Sequence, residues 1–173
     1  MKRLLIVVDM QNDFITGSLG TQEARQAVEP VVRKVLEYKR QGDEVVFTLD
    51  THFENYSETQ EGRRLPVPHC IKGTEGWKLC PQLEKFEGKR FEKHTFGSQE
   101  CAAYAAEGEY DQIELVGVCT DICVVSNALL LKAFFPETRI TVAADCCAGV
   151  TPESHERALA AMKACQVHVV RGE

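Results

Sequence analysis

No Cys-x-x-Cys pair, Walker phosphate loop, Gly-x-Gly-x-x-Gly fingerprint or Gly-x-Ser-x-Gly elbow occurs in the 173 residues. The first absence argues against a zinc ribbon, the next two against the common nucleotide-binding loops, and the last against a serine-hydrolase elbow. Positive charge is short as well: Lys+Arg 20 against Asp+Glu 26 gives a formal net charge of -6. Such a chain lacks the basic footprint of a nucleic-acid binder. Met1-Lys2-Arg3 followed by Leu4–Val8 opens like a signal peptide. However, Asp9 ends the apolar run, and Gln11-Asn12-Asp13 follow with no small-residue cleavage site. The run is too short for a signal h-region or a membrane span. Repeats, low-complexity tracts and linkers are missing too. The expectation is a single cytoplasmic domain over residues 1–173, with neither membrane nor nucleic acid as a partner.

What is present suits a soluble globular protein with a real core: 44% of the residues are hydrophobic and 27% charged. Short Val- and Ile-rich runs lie at Leu4–Val8, Val45–Leu49, Ile113–Val116, Ile140–Ala144 and Val167–Val170, with a weaker one at Arg90–Lys93. They are continuous rather than alternating, as in strands buried on both faces of a parallel sheet. Between them, residues 22–40 place Ala24, Val28, Val31, Val32, Val35 and Leu36 on one helical face, with Gly42 as a stop. Ser98–Glu107 and Pro152–Ala164 read similarly. Thr120–Phe135 is apolar almost all round and predicts a buried helix. This alternation predicts a three-layer α/β domain with a mainly parallel sheet. One long irregular segment, Thr51 to about Gly76, has the length of a functional loop.

Ligands of open α/β sheets bind beyond the carboxyl ends of the strands. Asp9 follows the first strand, Asp50 and His52 the second, and Lys93 closes the weak third. Gly117–Cys123 follow the fourth strand and Asp145-Cys146 the fifth. Acid, base, thiol and imidazole are thus expected on one rim. Cys123 stands in a strand-to-helix turn, where a helix N-terminus favours a thiolate and its free amides can hold an oxyanion. Cys119 shares the turn and competes with it as nucleophile. Asp50 and His52 project to the same side of an extended chain. With His69 brought in by the loop they make a three-ligand set suited to zinc, iron or manganese. The other six of the eight cysteines read as small apolar filler.

Three segments carry a family resemblance: Val7-Val8-Asp9-Met10-Gln11-Asn12-Asp13-Phe14, Lys93-His94-Thr95-Phe96, and Gly117-Val118-Cys119-Thr120-Asp121-Ile122-Cys123-Val124. With them the chain resembles the isochorismatase-like cysteine hydrolases, and among these the nicotinamidases. The resemblance implies a six-stranded, mainly parallel sheet in an α/β/α sandwich and a homodimer or higher homo-oligomer. It implies a catalytic triad of Asp9, Lys93 and Cys123, and an oxyanion hole formed by the backbone N–H groups of Cys119 and Cys123. A non-proline cis peptide between Val118 and Cys119 is also implied. Asp50, His52 and His69 match the family's metal ligands, with Glu61 a further candidate, for a divalent metal such as zinc, iron or manganese. No nucleotide or redox cofactor is implied. Phe14 matches one wall of a substrate slot. Where nicotinamidases often carry an aromatic residue before the last histidine, this chain has Leu65, Pro66, Val67 and Pro68, which leaves Trp77 as the candidate second wall. The implied reaction is hydrolysis of a small amide, nicotinamide first, through a thioester. The alternatives are a metal-independent hydrolase of another amide or carbamoyl compound, and a non-catalytic partner-binding member.

Overall fold

The computed structural model describes residues 1–172. Six parallel strands form one sheet: β1 (Arg3–Val8), β2 (Glu44–Asp50), β3 (Arg90–Lys93), β4 (Gln112–Val118), β5 (Arg139–Ala148) and β6 (His168–Val170), in the order β3-β2-β1-β4-β5-β6. Each strand alternates its side chains between two cores. Leu5, Val7, Val45 and Phe47 face one layer, which holds the short helix α1 (Asn12–Ile15), the long α2 (Gln22–Arg40) and α4 (Pro81–Glu84). Leu4, Ile6, Val8 and Val46 face the other, which holds α5 (Gln99–Glu107), α6 (Val125–Phe134) and α7 (Pro152–Ala164). Burial on both faces is the reason the strands read as unbroken apolar runs. No helix among the described residues is long and apolar enough to cross a membrane.

Local signals place the helix ends. Thr21 Oγ1 accepts the Ala24 N–H at 3.0 Å to start α2, and Ser98 Oγ accepts the Cys101 N–H at 3.2 Å to start α5. At α7, Thr151 and Ser154 cap each other reciprocally, with Pro152 in the first turn. The observed limits of α2, α7 and β3 coincide with those read from the sequence.

Three expectations change. The strand read as Ile140–Ala144 runs on to Ala148, past an irregularity in its pairing with β4 between Leu115 and Gly117. Asp145 and Cys146 therefore lie within β5 rather than beyond it. The apolar stretch Thr120–Phe135 is a π-helical turn, Thr120–Val124, followed by α6. It is not buried all round: α6 packs between α5 and α7 in the outer layer, and its outward face leaves Leu129 and Phe134 exposed. The segment after β2 is not structureless, because it holds single turns at Tyr56–Glu58 and Glu75–Trp77 and the short α3 (Gln60–Arg64).

Strand order reverses between β1 and β4, the switch point where a crevice opens in sheets of this type. The two strands approach closely there. Gly117 has φ 116, and a Cβ on it would lie 2.1 Å from the Val8 carbonyl oxygen. Only glycine fits that position.

Candidate active site and adjoining metal cluster

Asp9 leaves β1 in the left-handed region, with φ 48, a conformation that aspartate tolerates better than most residues. Its carboxylate is fully buried. Oδ1 accepts the Thr48 hydroxyl at 2.7 Å, and Oδ2 lies 2.7 Å from Lys93 Nζ. That second contact is a buried ion pair. Lys93 comes from the end of β3 and reaches past Asp50, its register partner on β2. Its ammonium also donates to Cys123 Sγ at 3.3 Å and to the Thr95 carbonyl at 3.2 Å, and stands 3.5 Å from Asp50 Oδ1.

Cys123 arrives on the π-helical turn after β4. The Val118–Cys119 peptide is cis, and the Cys119 carbonyl accepts the N–H groups of Ile122 and Val124 at 3.1 and 3.0 Å. Thr120 Oγ1 lies 2.7 Å from His155 Nδ1, and Asp121 Oδ1 accepts the Val150 N–H at 3.0 Å, so α7 and its leading loop hold the turn from outside. Asp9, Lys93 and Cys123, from three strand ends, thus meet in one buried space.

Electrostatics there differ from the sequence expectation of a helix-stabilised thiolate. Burial pushes the Cys123 thiol well above its ordinary range, the Asp9 charge adds to this, and Lys93 opposes it only in part. Burial also raises Asp9, against the lowering influence of Lys93. Burial disfavours the Lys93 ammonium, but Asp9, Cys123 and Asp50 outweigh it and hold Lys93 above its usual value. A carboxylate raised toward neutrality next to a thiol is suited to exchanging a proton with it.

The second cluster shares Asp50 with the first. Asp50 Oδ2 lies 3.0 Å from His52 Nε2 and 3.4 Å from His69 Nε2, while Glu61 Oε1 on α3 lies 3.6 and 3.8 Å from the same two nitrogens. All four donor atoms fall within 4.8 Å of one another. Donors about 2.0–2.2 Å from a tetrahedral zinc stand roughly 3.3–3.6 Å apart, so this set fits a divalent ion with little adjustment. His69 Nδ1 is 2.8 Å from the Val67 carbonyl, which takes its proton and leaves Nε2 to face the cluster. Burial works against the Asp50 carboxylate, yet the two histidines and Lys93 pull it below the usual carboxylate range.

The sequence-named residues divide as follows. Asp50, His52, His69 and Glu61 converge. Phe14 lies against the His69 ring at 5.6 Å between centroids. Trp77 is half-buried, and its indole N–H donates to Thr51 Oγ1 at 2.9 Å, beside the Asp50–His52 pair. Asp145 is exposed and accepts the Gly172 N–H at 2.5 Å, away from both clusters. A cavity of about 240 Å³ lined by Glu23, Gln26, Asp145, Cys147 and His155 also lies apart from them. Cys70, Cys80, Cys101, Cys146 and Cys147 are buried filler, whereas Cys165 is exposed rather than filling space.

Several contributors went unread in the sequence. Gln11 is fully buried: its Nε2 donates to the carbonyls of Asp50 and Trp77, and its Oε1 accepts the Asp50 N–H, each at 2.8 Å. Asp13 Oδ2 accepts the Cys70 N–H at 2.8 Å and so steadies the residue after His69. Tyr56 packs edge-on against both histidines of the second cluster and donates its hydroxyl to the Leu65 carbonyl at 2.8 Å. Gln11 and Asp13 stood inside the first resemblance segment and could have been flagged there. Tyr56 carried no signal.

A family model described as the isochorismatase domain matches residues 3–173. An isochorismatase family protein from Bacillus subtilis, described as uncharacterized and called PncA, is 34% identical over 173 aligned residues, covering 92% of this chain and 93% of the relative. The crystal structure of a nicotinamidase/pyrazinamidase PncA from Bacillus subtilis superposes with a TM-score of 0.86 at 30% identity, over 98% of this chain and 100% of that one. The pyrazinamidase of Pyrococcus horikoshii, solved in complex with zinc, also gives a TM-score of 0.86, at 26% identity, over 99% and 100% of the two chains.

Proposed function

The chain belongs to the isochorismatase family, and we propose that it is a cysteine-nucleophile amidase hydrolysing nicotinamide to nicotinate and ammonia. One observation carries the reading: a buried thiol, ammonium and carboxylate meet at a sheet switch point and share Asp50 with a two-histidine, two-carboxylate cluster. The relatives named nicotinamidase or pyrazinamidase, one of them solved with zinc, support the choice of substrate class.

In this reading Asp9 Oδ2 takes the Cys123 thiol proton, and the thiolate attacks the amide carbonyl carbon. Lys93 stabilises both anions as charge moves between them. The backbone N–H groups of Cys119 and Cys123 hold the developing oxyanion. Asp9 returns its proton to the leaving nitrogen, so ammonia departs and a thioester remains. Water then attacks the thioester with Asp9 again as base, which frees the carboxylate product and restores the thiol. Asp50, His52, His69 and Glu61 hold a divalent metal. When bound, the ion supplies a positively charged Lewis-acid centre for a lone pair of the substrate. Phe14 packs against His69 and forms one wall of the ring slot, and Trp77 forms the other, its indole held by Thr51. The test is ammonia release from a panel of small amides headed by nicotinamide, using untagged protein supplied with zinc, iron or manganese. Turnover of nicotinamide together with bound metal is the expected result. A site that stays metal-free at neutral pH, or a panel in which nicotinamide is inert, overturns the reading.

A further inference from the structure

We propose that Asn127, in the first turn of α6, is a positioning residue that sets Lys93 against Cys123. The inference rests on the nucleophile assignment made above. Strands β3 and β4, which deliver these two groups, are not neighbours, because β2 and β1 stand between them. No ladder of backbone hydrogen bonds therefore registers one against the other. The Asn127 side chain supplies a direct bridge.

Asn127 is 3% exposed. Its Nδ2 donates to the Cys123 carbonyl at 2.8 Å and to the Phe96 carbonyl at 3.1 Å, and its Oδ1 accepts the Ser98 N–H at 2.9 Å. Flipping the amide would set an oxygen against two carbonyls and an NH2 against an N–H, so one orientation alone satisfies all three contacts. Phe96 and Ser98 belong to the short connection that follows Lys93. That connection is tied back to the ammonium: Lys93 Nζ donates to the Thr95 carbonyl at 3.2 Å, and Thr95 Oγ1 donates to the Gly97 carbonyl at 2.7 Å. One buried amide thus grips the backbone of the nucleophile and the backbone beside its charged partner. An asparagine has no packing advantage on this otherwise apolar buried face, where Ala128 and Leu131 are its neighbours. Its polar reach accounts for it.

The test compares Asn127→Ala and Asn127→Thr with the wild-type chain, loaded with metal and normalised to folded protein. The threonine hydroxyl can still donate to the Cys123 carbonyl four residues back, but it cannot also span to Phe96 and Ser98. It fills part of the space, so it keeps the proposal testable if the alanine variant folds poorly. A misplacement near 1 Å in a reacting pair costs on the order of 100-fold. We expect kcat for nicotinamide to fall about tenfold or more in both variants, with KM within about twofold. A second arm needs no substrate: iodoacetamide labelling of Cys123, followed by peptide mass, should slow severalfold at neutral pH. A threonine variant with wild-type kcat, or labelling that is unchanged or faster, overturns the bridge. If the wild-type chain leaves nicotinamide intact, the proposed substrate fails while the labelling arm still decides the role of Asn127.

Discussion

Replacing Lys93 with methionine removes a charge with little change of volume and isolates what that charge does to Asp9. Lys93 Nζ stands 2.7 Å from Asp9 Oδ2. At an effective dielectric of about 20, unit charges at that distance interact by roughly 6 kcal/mol, equivalent to about four pK units. Asp9 is already raised by burial, Lys93 is the largest influence in the opposite direction, and Asp50 pushes with burial. Without Lys93 the Asp9 carboxyl must rise further. Asp9 has to be deprotonated to accept the thiol proton, so the acid limb of kcat/KM moves to higher pH. Water entering the site reduces the full Coulomb figure, and we expect a displacement of about two units or more. Fewer molecules then hold the deprotonated base at neutral pH, and kcat/KM should fall toward the loss of about 10²–10⁴ that marks a missing general base. Asp9 escapes being a buried unpaired charge by binding a proton, which keeps the loss of stability near the lower end of about 3–5 kcal/mol. Ammonia release measured from about pH 5 to 10, per folded molecule, reads both effects. An acid limb left at its wild-type position, with less than about a tenfold loss at neutral pH, would refute the coupling.

The remaining predictions address the nucleophile, the metal cluster and its support. Cys123→Ala should abolish turnover, whereas Cys119→Ala should keep most of it, because only the Cys119 backbone N–H is assigned a part; equal losses count against that division. His69→Ala should weaken metal binding by about 100-fold or more, since even outer partners of metal ligands are worth 10–100-fold. Chelator competition measures this, and an unchanged affinity would remove His69 from the ligand set. Gly76→Ala places a Cβ 2.2 Å from Asp13 Oδ2, the atom that accepts the Cys70 N–H at 2.8 Å. We expect a loss of about 1–3 kcal/mol in thermal or urea unfolding, from overpacking or the broken hydrogen bond. A wild-type Tm would contradict that contact.

By itself the sequence determined the layer plan. Continuous Val and Ile runs separated by one-faced helices report burial on both sides of each strand, and Pro152 fits the first turn of α7 through its fixed φ. Residues at strand ends, Asp9, Asp50, Lys93 and Cys123 among them, were legible as rim groups because a strand's end is itself a local property. The tertiary structure decided which rim groups share a space. The order β3-β2-β1-β4 brings Lys93 across Asp50 to Asp9 and Cys123, while the continuation of β5 to Ala148 leaves Asp145 outside. It also decided which way the thiol's pKa moves. A helix N-terminus acts locally, whereas desolvation depends on everything packed around the sulfur, and burial with Asp9 outweighs the lowering influence of Lys93. Tyr56 and Asn127 were illegible for the same reason. Their partners are mostly backbone atoms or rings far along the chain, and no periodicity or spacing encodes a contact that exists only once crossovers and loops have closed.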